Sequence, residues 1–272
     1  MKYFITFGNG VFENQRKRLI QQAIDSNWFD YVIEETPDTI NEFHNQHKSF
    51  IDNNKRGYGY WIWKPYIILR QLQKMNDGDF LFYTDAGASI VPHRKYRLDE
   101  YVELLKNNNK PILTFGVGHY CEKTFQKMRV LKHFSIDGKK LFENEQFLNS
   151  GQVESGVFIC MKTDYTITFV EKWLNLLLSN NYELVTDEDD NEQLDSFSDH
   201  RHDQSILSIL CKTENTIILN DTGDAYGLGP FFSSRLADDG PREFAPDSFR
   251  MDPRYDCSKH FTWIEWYNDT SK

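Results

Sequence analysis

Short apolar runs alternate with segments of helical spacing along most of this chain of 272 residues. Six runs have the length and composition of β-strands, at residues 3–7, 31–33, 79–84, 112–115, 156–160 and 216–219. Helical segments lie between them, at residues 14–24, 37–51, 61–75 and 165–179. This alternation predicts an α/β fold with a mostly parallel central sheet flanked by helices. We expect one domain over residues 1–272, with an irregular C-terminal wrap after Asp221.

The strand at residues 79–84 ends abruptly in Asp85, which Ala86 and Gly87 follow. In an open α/β sheet, ligands bind outside the carboxyl ends of the strands. An aspartate there can hold Mg²⁺ or Mn²⁺ through oxygen, and these ions often share such a site with substrate phosphates. The small residues after it would let a bulky ligand approach the backbone. The alternative is an ordinary turn at a strand end.

The segment at residues 56–65, Arg-Gly-Tyr-Gly-Tyr-Trp-Ile-Trp-Lys-Pro, is dense in special residues. Its glycines permit unusual backbone angles, Tyr60 and Trp61 offer stacking faces, and Arg56 and Lys64 offer charge to phosphate. We favour a role in ligand binding, with Lys64 the better phosphate candidate. The alternative is a helix N-terminus packed by aromatic rings, with both cations in solvent.

A glycine pair follows the first strand, but it lacks the dinucleotide-binding fingerprint. The third glycine of the GxGxxG pattern would stand at position 13, which is Glu13. A loop that lies beside a nucleotide base is still compatible with the sequence, so Thr6, Phe7 and Gly8 are candidates for nucleotide contact. The alternative is an ordinary strand-to-helix turn.

Two of these segments together resemble a known enzyme family. The sequence Gly-Tyr-Gly-Tyr-Trp-Ile-Trp-Lys-Pro at 57–65, followed by the strand ending Tyr-Thr-Asp-Ala-Gly at 83–87, is similar to GT-A-fold glycosyltransferases of bacterial polysaccharide gene sets and large DNA viruses. The resemblance implies a GT-A-like, Rossmann-like sheet. In the family a short acidic motif, often Asp-x-Asp, binds Mn²⁺ or Mg²⁺ on the diphosphate of a nucleotide-sugar. Here Gly87 replaces the second Asp, which leaves Asp85 as the acid of the motif and Thr84, Ala86 and Gly87 as its donor-side neighbours.

Two later segments extend the resemblance to Cys211. Asn-Ser-Gly-Gln-Val-Glu-Ser-Gly-Val-Phe-Ile at 149–159 is similar to the strand that lines the acceptor side, and His-Arg-His-Asp-Gln-Ser at 200–205 resembles the Asp-Gln pair near the donor sugar. Glu154 and Asp203 are therefore candidate catalytic carboxylates, and Gln204 a candidate ligand of the donor. Glu154 as a strand-edge acid and Asp203 as a helix N-cap are the structural alternatives.

Histidines that could be considered as metal ligands occur at two places in the sequence. His200 and His202 have no Cys or third His at ligand spacing, so we expect ordinary surface residues there. In the tail, the resemblance implies a late His as a metal ligand and a late Lys on the diphosphate, which makes His260 and Lys259 candidates. The alternative for the tail is a packed C-terminal segment with exposed polar residues.

Charge and cysteine content narrow the function class. With 41 acidic residues against 31 Lys and Arg, the formal net charge of −10 argues against broad binding to nucleic acid. The four cysteines, which include no CxxC pair, favour a reducing compartment over a zinc site or disulfide framework. The sequence has neither a signal-peptide pattern nor an apolar run of roughly 20 residues, so we expect a cytoplasmic protein without a transmembrane segment.

The expected activity is transfer of a sugar from a nucleotide-diphosphate donor, a UDP- or GDP-sugar, to a hydroxyl of a glycan or other acceptor. The resemblance implies Mn²⁺ or Mg²⁺ dependence and a place in polysaccharide biosynthesis. A non-catalytic nucleotide- or sugar-binding module is the alternative. A metal-dependent phosphohydrolase is disfavoured because Asp85 has no second aspartate two residues away.

Overall fold

The computed structural model describes residues 1–189, 191–219 and 229–233. Eleven strands are present in these ranges: β1 (Lys2–Phe7), β2 (Tyr31–Glu35), β3 (Phe80–Thr84), β4 (Ala88–Ile90), β5 (Ile112–Cys121), β6 (Ser135–Ile136), β7 (Lys139–Lys140), β8 (Gly151–Val153), β9 (Val157–Met161), β10 (Ile217–Leu219) and β11 (Phe231–Ser233). The six predicted strands correspond to β1, β2, β3, β5, β9 and β10, with ends that differ by a few residues except in β5, which is much longer.

The same ranges contain α1 (Glu13–Ser26), α2 (Asn41–Gln46), α3 (Lys48–Asn53), a short turn α4 (Gly57–Tyr60), α5 (Trp63–Leu72), α6 (Lys95–Asn107), α7 (Glu122–Phe125), α8 (Met128–His133), α9 (Glu145–Leu148), α10 (Asp164–Leu178) and α11 (Asp203–Thr213). Four 3₁₀ turns lie at Gly10–Phe12, Pro92–Arg94, Leu141–Glu143 and Ser179–Tyr182. The helix expected at 37–51 is divided into α2 and α3 at His47, where the backbone leaves helical geometry. None of the described helices is both long enough and apolar enough to cross a membrane.

The central sheet confirms the predicted α/β class. Its strand order is β10-β5-β9-β3-β1-β2, and β8 pairs with β5. β1 is parallel to β2 and β3, and β10 is parallel to β5. Only β9 and the short β8 run against this direction among the described strands of the sheet. The sheet is therefore mostly parallel, with one antiparallel strand near its centre.

Successive side chains of a strand point to opposite faces of the sheet. Both faces of this sheet therefore have apolar side chains, and helices cover them. In β3, Leu81 and Tyr83 pack on the face covered by α5, α10 and α11, whereas Phe80 and Phe82 pack against α1 and α6. Burial on both faces explains the continuous apolar run of this strand. The expected C-terminal wrap lies outside the described residues except at β11, which pairs with β4.

Candidate active site

A cavity of about 520 Å³ opens at the edge of the sheet where β1 and β3 end. Because β9 is antiparallel to β3, its first residue, Val157, lies opposite Thr84 at the end of β3. The loop before β9 therefore reaches the same edge, where the amide of Asp85 donates to the carbonyl of Gly156 at 2.8 Å. The first turn of α11, beginning at Asp203, forms part of the wall.

Most residues that the sequence singled out line this cavity. They are Phe7, Gly8, Arg56, Trp61, Lys64, Asp85, Ala86, Gly87, Glu154, Asp203 and Gln204. The segments that carry them are far apart in sequence, and their common location is what a shared site requires. Their roles in binding and catalysis stay predictions.

Five other candidates do not line the described cavity. Thr6 and Thr84 are fully buried in their strands and are not part of the cavity lining. Tyr60 lies behind the wall, and its hydroxyl donates to Asp187 at 2.8 Å. Donor contact by these three residues stays a prediction. Lys259 and His260 lie outside the described residues.

A buried lysine joins two of the carboxylates at the bottom of the cavity. Lys64 is only 1% exposed, and its Nζ lies 2.9 Å from Asp203 Oδ2 and 3.2 Å from Asp85 Oδ1. The same ammonium donates to Ser155 Oγ at 3.0 Å and has the Ser155 carbonyl at 3.2 Å. An ammonium has three protons, so protein acceptors account for all of them. Contact with phosphate would require Lys64 to give up one of these bonds.

The pKa values of this cluster reflect burial and charge together. Burial alone would lower the pKa of Lys64, but the carboxylates of Asp203 and Asp85 outweigh it and hold the pKa above its ordinary value. Burial raises the pKa of Asp203, and the Lys64 ammonium opposes that rise. Lys64 is therefore charged at neutral pH and fixes both carboxylates. Asp203 is the first residue of α11 and follows the N-cap residue, His202, and its side chain lies against Lys64.

Asp85 and Glu154 face the same small space beside Gly156. Asp85 Oδ1 accepts from the Tyr83 hydroxyl and contacts Lys64. A Cβ added at Gly156 would lie 3.4 Å from Asp85 Oδ2 and 3.9 Å from Glu154 Oε2. The absent side chain at Gly156 thus leaves room between two carboxylates, of which Asp85 is partly exposed and Glu154 is buried.

These oxygens suit a divalent cation that is shared with a phosphate ligand. Mg²⁺ and Mn²⁺ favour carboxylate oxygen, and Mg²⁺ is commonly held by one or two carboxylates plus substrate phosphates. Asp85 supplies such an oxygen at the cavity surface, with Glu154 close by. In the described ranges no group of three or more His, Cys, Asp or Glu residues forms a complete metal site. The residues present therefore fit a cation completed by its substrate.

The wall opposite the carboxylates is built from a backbone with positive φ. Gly57, Tyr58, Gly59, Tyr60 and Trp61 have φ values of 58°, 55°, 83°, 53° and 60°. A Cβ on Gly57 would lie 2.3 Å from the Trp61 ring, and one on Gly59 would lie 2.8 Å from Ile51. Both glycines are therefore required by conformation and by space. Non-glycine residues in this region are strained, and such strain often occurs at functional sites.

The acidic segment after Thr186 packs against this wall. A run of acidic residues such as the one that begins at Asp187 is typical of a solvated loop. Here, however, Asp187 accepts from the Tyr60 hydroxyl, and the Arg56 guanidinium lies 2.8 Å from Asp199. A second contact of 3.5 Å joins Arg56 to Asp187. The hydrogen bond that Arg56 donates to Asp199 raises the pKa of Arg56, so this cation is held by the segment rather than free in solvent.

Both histidines expected at the surface are buried. His200 is 2% exposed and His202 is 1% exposed, and their rings contact the carbonyls of Leu184 and Val185 at 2.9 and 2.7 Å. The surface expectation was wrong because residues 184–187 cover the rings. His202 also lines the cavity.

Sequence reasoning missed further lining residues. Arg201 lies in the His-Arg-His-Asp-Gln motif, and its guanidinium stacks over Phe125 at 4.6 Å. Lys55 directly precedes the glycine-rich segment, and Val11 and Phe12 are exposed apolar residues of the lining. The position of Arg201 inside the motif was a usable signal, whereas Val11 and Phe12 gave none.

Comparisons with known proteins find distant likenesses among solved structures. Neither a protein-family model nor a curated protein matches the chain. Among solved structures, a glycosyltransferase involved in the glycosylation of the major capsid of PBCV-1 is similar at 10% identity and a TM-score of 0.43, over 80% of each chain. Mouse xyloside xylosyltransferase 1 is similar at 10% identity and a TM-score of 0.40, over 80% of this chain and 86% of that one.

A putative glucose-1-phosphate thymidylyltransferase from Bacillus anthracis is similar at 10% identity and a TM-score of 0.39, also over 80% of this chain and 86% of that one. Likenesses at this level assign no function.

Proposed function

We propose that this chain is a glycosyltransferase that moves a sugar from a nucleotide-diphosphate donor to a hydroxyl of a glycan or other acceptor. The observation that carries the proposal is the Lys64 ammonium, which is buried at the carboxyl edge of the sheet between Asp85 and Asp203. A buried charge cluster that opens into a cavity positions carboxylates without leaving them mobile. Such an arrangement suits group transfer at a fixed point.

The donor would lie along the ends of β1 and β3. Phe7 and Gly8 line the cavity and would lie beside the nucleotide, and the diphosphate would lie near Asp85, Ala86 and Gly87. Asp85 would hold Mn²⁺ or Mg²⁺, with His260 and Lys259 as proposed additional ligands of metal and diphosphate. When bound, the cation would supply positive charge to the leaving diphosphate.

Positive side chains in the lining would add to that charge. Lys64 keeps the carboxylates in place, and its own contact with phosphate is the weaker part of the proposal because its protons are engaged. Arg201 and Lys55 line the cavity and have donors for a phosphate. Arg56 would add positive charge near the diphosphate from its position in the cavity wall, where Asp199 holds it.

The transfer step forms one bond and breaks one. The acceptor hydroxyl oxygen bonds to the anomeric carbon, the bond from that carbon to the diphosphate oxygen breaks, and its electron pair stays on the diphosphate. In an inverting reaction the hydroxyl proton goes to a carboxylate, for which Glu154 and Asp203 are the candidates. In a retaining reaction the proton leaves with the diphosphate, and Asp203 with Gln204 would hold the donor sugar instead.

A panel of UDP- and GDP-sugars tests the proposal. The protein is incubated with each donor and with Mn²⁺, Mg²⁺ or chelator, and released nucleoside diphosphate is measured with and without sugar acceptors. We expect metal-dependent release from at least one donor. Tight donor binding without any release would instead support the alternative of a non-catalytic nucleotide- or sugar-binding module.

A further inference from the structure

Glu122 and Lys212 form a buried ion pair that the proposed transfer step does not use. Their side chains are 0% and 1% exposed, and Lys212 Nζ donates to Glu122 Oε1. The same ammonium donates to Ser150 Oγ at 2.9 Å and to the Gly151 carbonyl at 2.8 Å. A buried ion pair is weak evidence for stability, because desolvation offsets the attraction between the charges. The other groups that its carboxylate holds lead towards the cavity.

The Glu122 carboxylate accepts from four donors. Besides Lys212, the Ser208 hydroxyl lies 2.5 Å from Glu122 Oε1. The amide nitrogens of Gln126 and Gln152 lie 2.8 and 3.1 Å from Oε2. An ionised carboxylate can only accept, and four donors occupy its roughly four lone-pair sites. Both glutamines must therefore present their nitrogen, and not their oxygen, to Glu122.

This requirement fixes the side chain of Gln152. Its nitrogen also has the Phe125 carbonyl at 3.4 Å, which again can only accept. The Gln152 oxygen is consequently turned to the other side, where Gln204 Nε2 donates to it at 2.8 Å. Gln152 is 0% exposed and absent from the cavity lining, whereas Gln204 is partly exposed and lines the cavity. A chain of hydrogen bonds thus connects a buried charge with a lining residue.

The same chain fixes the amide of Gln204. Its nitrogen faces Gln152, and its oxygen faces the backbone amide of Ser155 at 3.4 Å. Turning the amide over would place oxygen against oxygen at Gln152 and nitrogen against nitrogen at Ser155. The amide nitrogen has two protons, of which Gln152 takes one. In the described part of the chain no residue accepts the second, which leaves it for water or for a ligand in the cavity.

We propose that Gln152, held by Glu122, is a positioning residue that makes Gln204 a hydrogen-bond donor to the bound nucleotide-sugar. The inference rests on the proposed function and names the atom with which this site recognises its ligand. The Gln204 proton requires an acceptor, which a sugar hydroxyl oxygen or a diphosphate oxygen supplies. Gln152 and Glu122 do not touch the ligand. They act through Gln204, because its amide is free to turn over without them.

The variant Gln152→Met breaks the chain of hydrogen bonds without changing a charge. Methionine is flexible and unbranched and fills the space of the glutamine, and Glu122 keeps its three other donors. Gln126→Met is the matched control, because Gln126 is 1% exposed and donates to the same oxygen of Glu122. Its amide also donates to the Ser205 carbonyl, and not to Gln204. Thermal melting verifies that both variants fold.

Calorimetry in the presence of Mn²⁺ compares a nucleoside diphosphate with its nucleotide-sugar. Gln152→Met should bind the nucleotide-sugar about 3- to 10-fold more weakly than the wild type, as for one neutral hydrogen bond. Gln126→Met should match the wild type. If the nucleoside diphosphate is weakened by the same factor, the partner of Gln204 is a diphosphate oxygen. If the nucleoside diphosphate binds normally, the partner is an oxygen of the sugar, and either result supports the inference.

A double-mutant cycle separates positioning of Gln204 from a general effect on the fold. Gln204→Met removes the donor itself, so adding Gln152→Met to it should weaken binding no further. The inference is overturned if Gln152→Met causes its full loss in the Gln204→Met background as well. Wild-type binding by Gln152→Met, or an equal loss in Gln126→Met, also overturns it.

A second measurement needs no variant. The two side-chain amide protons of Gln204 give separate resonances, and addition of the nucleotide-sugar should shift the proton that is not bonded to Gln152. If the wild type binds the nucleotide-sugar and this resonance does not shift, the inference alone is overturned. A wild type that binds no nucleotide-sugar overturns the proposed function and this inference with it.

Discussion

The two sides of the cavity are held in place by different forces. The carboxylate side, formed by Lys64, Asp85 and Asp203, rests on strand ends and on opposite charges that are buried together. The aromatic side, formed by residues 57–61 and His202, depends on packing that holds a strained backbone. The carboxylate side should therefore be destabilised when a buried charge is removed, and the aromatic side when atoms are added where the packing leaves no space. Four predictions test this difference.

The largest effect is expected for Lys64→Met. Removing one partner of a buried ion pair leaves an uncompensated charge, which costs about 3–5 kcal/mol of stability. Denaturant unfolding at pH 8 measures the loss. Adding Asp203→Asn to Lys64→Met should restore part of it, because the orphaned carboxylate is removed. If Lys64→Met unfolds at the wild-type midpoint, charge does not hold the carboxylate side together.

A loss of turnover is expected for Asp203→Asn. Lys64 keeps Asp85 as a partner in this variant, so the melting temperature should change little. Turnover should fall at least about 10²-fold, the lower end for a positioned acid–base group. An Asn would replace Asp well at an N-cap, but the N-cap residue of α11 is His202. Nearly full activity in Asp203→Asn would remove it from the candidates and leave Glu154.

Acidification should weaken the aromatic side. Burial lowers the pKa of His202 to about 4 from 6.5, and the carboxylates of Asp187 and Asp199 with the Arg56 cation are the charges around it. Between these pH values the unfolded state binds the proton and the folded state does not, so stability falls as the pH drops from 6.5 to about 4.

The expected contribution is roughly 3–4 kcal/mol, since each pKa unit corresponds to about 1.4 kcal/mol. Chemical unfolding of the wild type and of His202→Asn across this pH range separates the contribution of His202 from that of the titrating carboxylates. The variant should lose less stability on acidification. If the stability of the two proteins falls equally with pH, protonation of His202 does not contribute to the loss.

The sequence predicted the carboxylate side better than the aromatic side. The sequence indicates Asp85 because an apolar strand ends there in an acid, and parallel strands bring their carboxyl ends to one edge of the sheet. Glu154 reaches this edge because β9 is antiparallel, which no local pattern indicates. Burial of Lys64 depends on Ser155 and Asp203, which are distant in sequence, and so its engagement by protein acceptors was not predictable.

The aromatic side was recognised by composition but not by geometry. Two glycines among aromatic residues signalled unusual backbone angles, and the positive φ values at Gly57 and Gly59 agree with that. The burial of His202 could not be inferred, because it depends on the Val185 carbonyl, whose position against the ring is set by the tertiary fold. Local patterns thus identify strained segments, while the partners that enforce the strain are set by the tertiary fold.

The smallest effect, and the one that isolates packing, is the extra loss of stability expected for Gly57→Ala over a control variant. Both the positive φ and the added Cβ, 2.3 Å from the Trp61 ring, disfavour the variant. Gly78→Ala is the control, because Gly78 has φ +85° and no neighbour within 4 Å of an added Cβ. Both variants incur backbone strain of about 1–2 kcal/mol, and Gly57→Ala should lose roughly 1–3 kcal/mol more through overpacking. Thermal or denaturant unfolding measures the difference between the two variants. Equal losses would mean that the ring of Trp61 moves away freely, and the aromatic side would then owe its shape to backbone conformation rather than to packing.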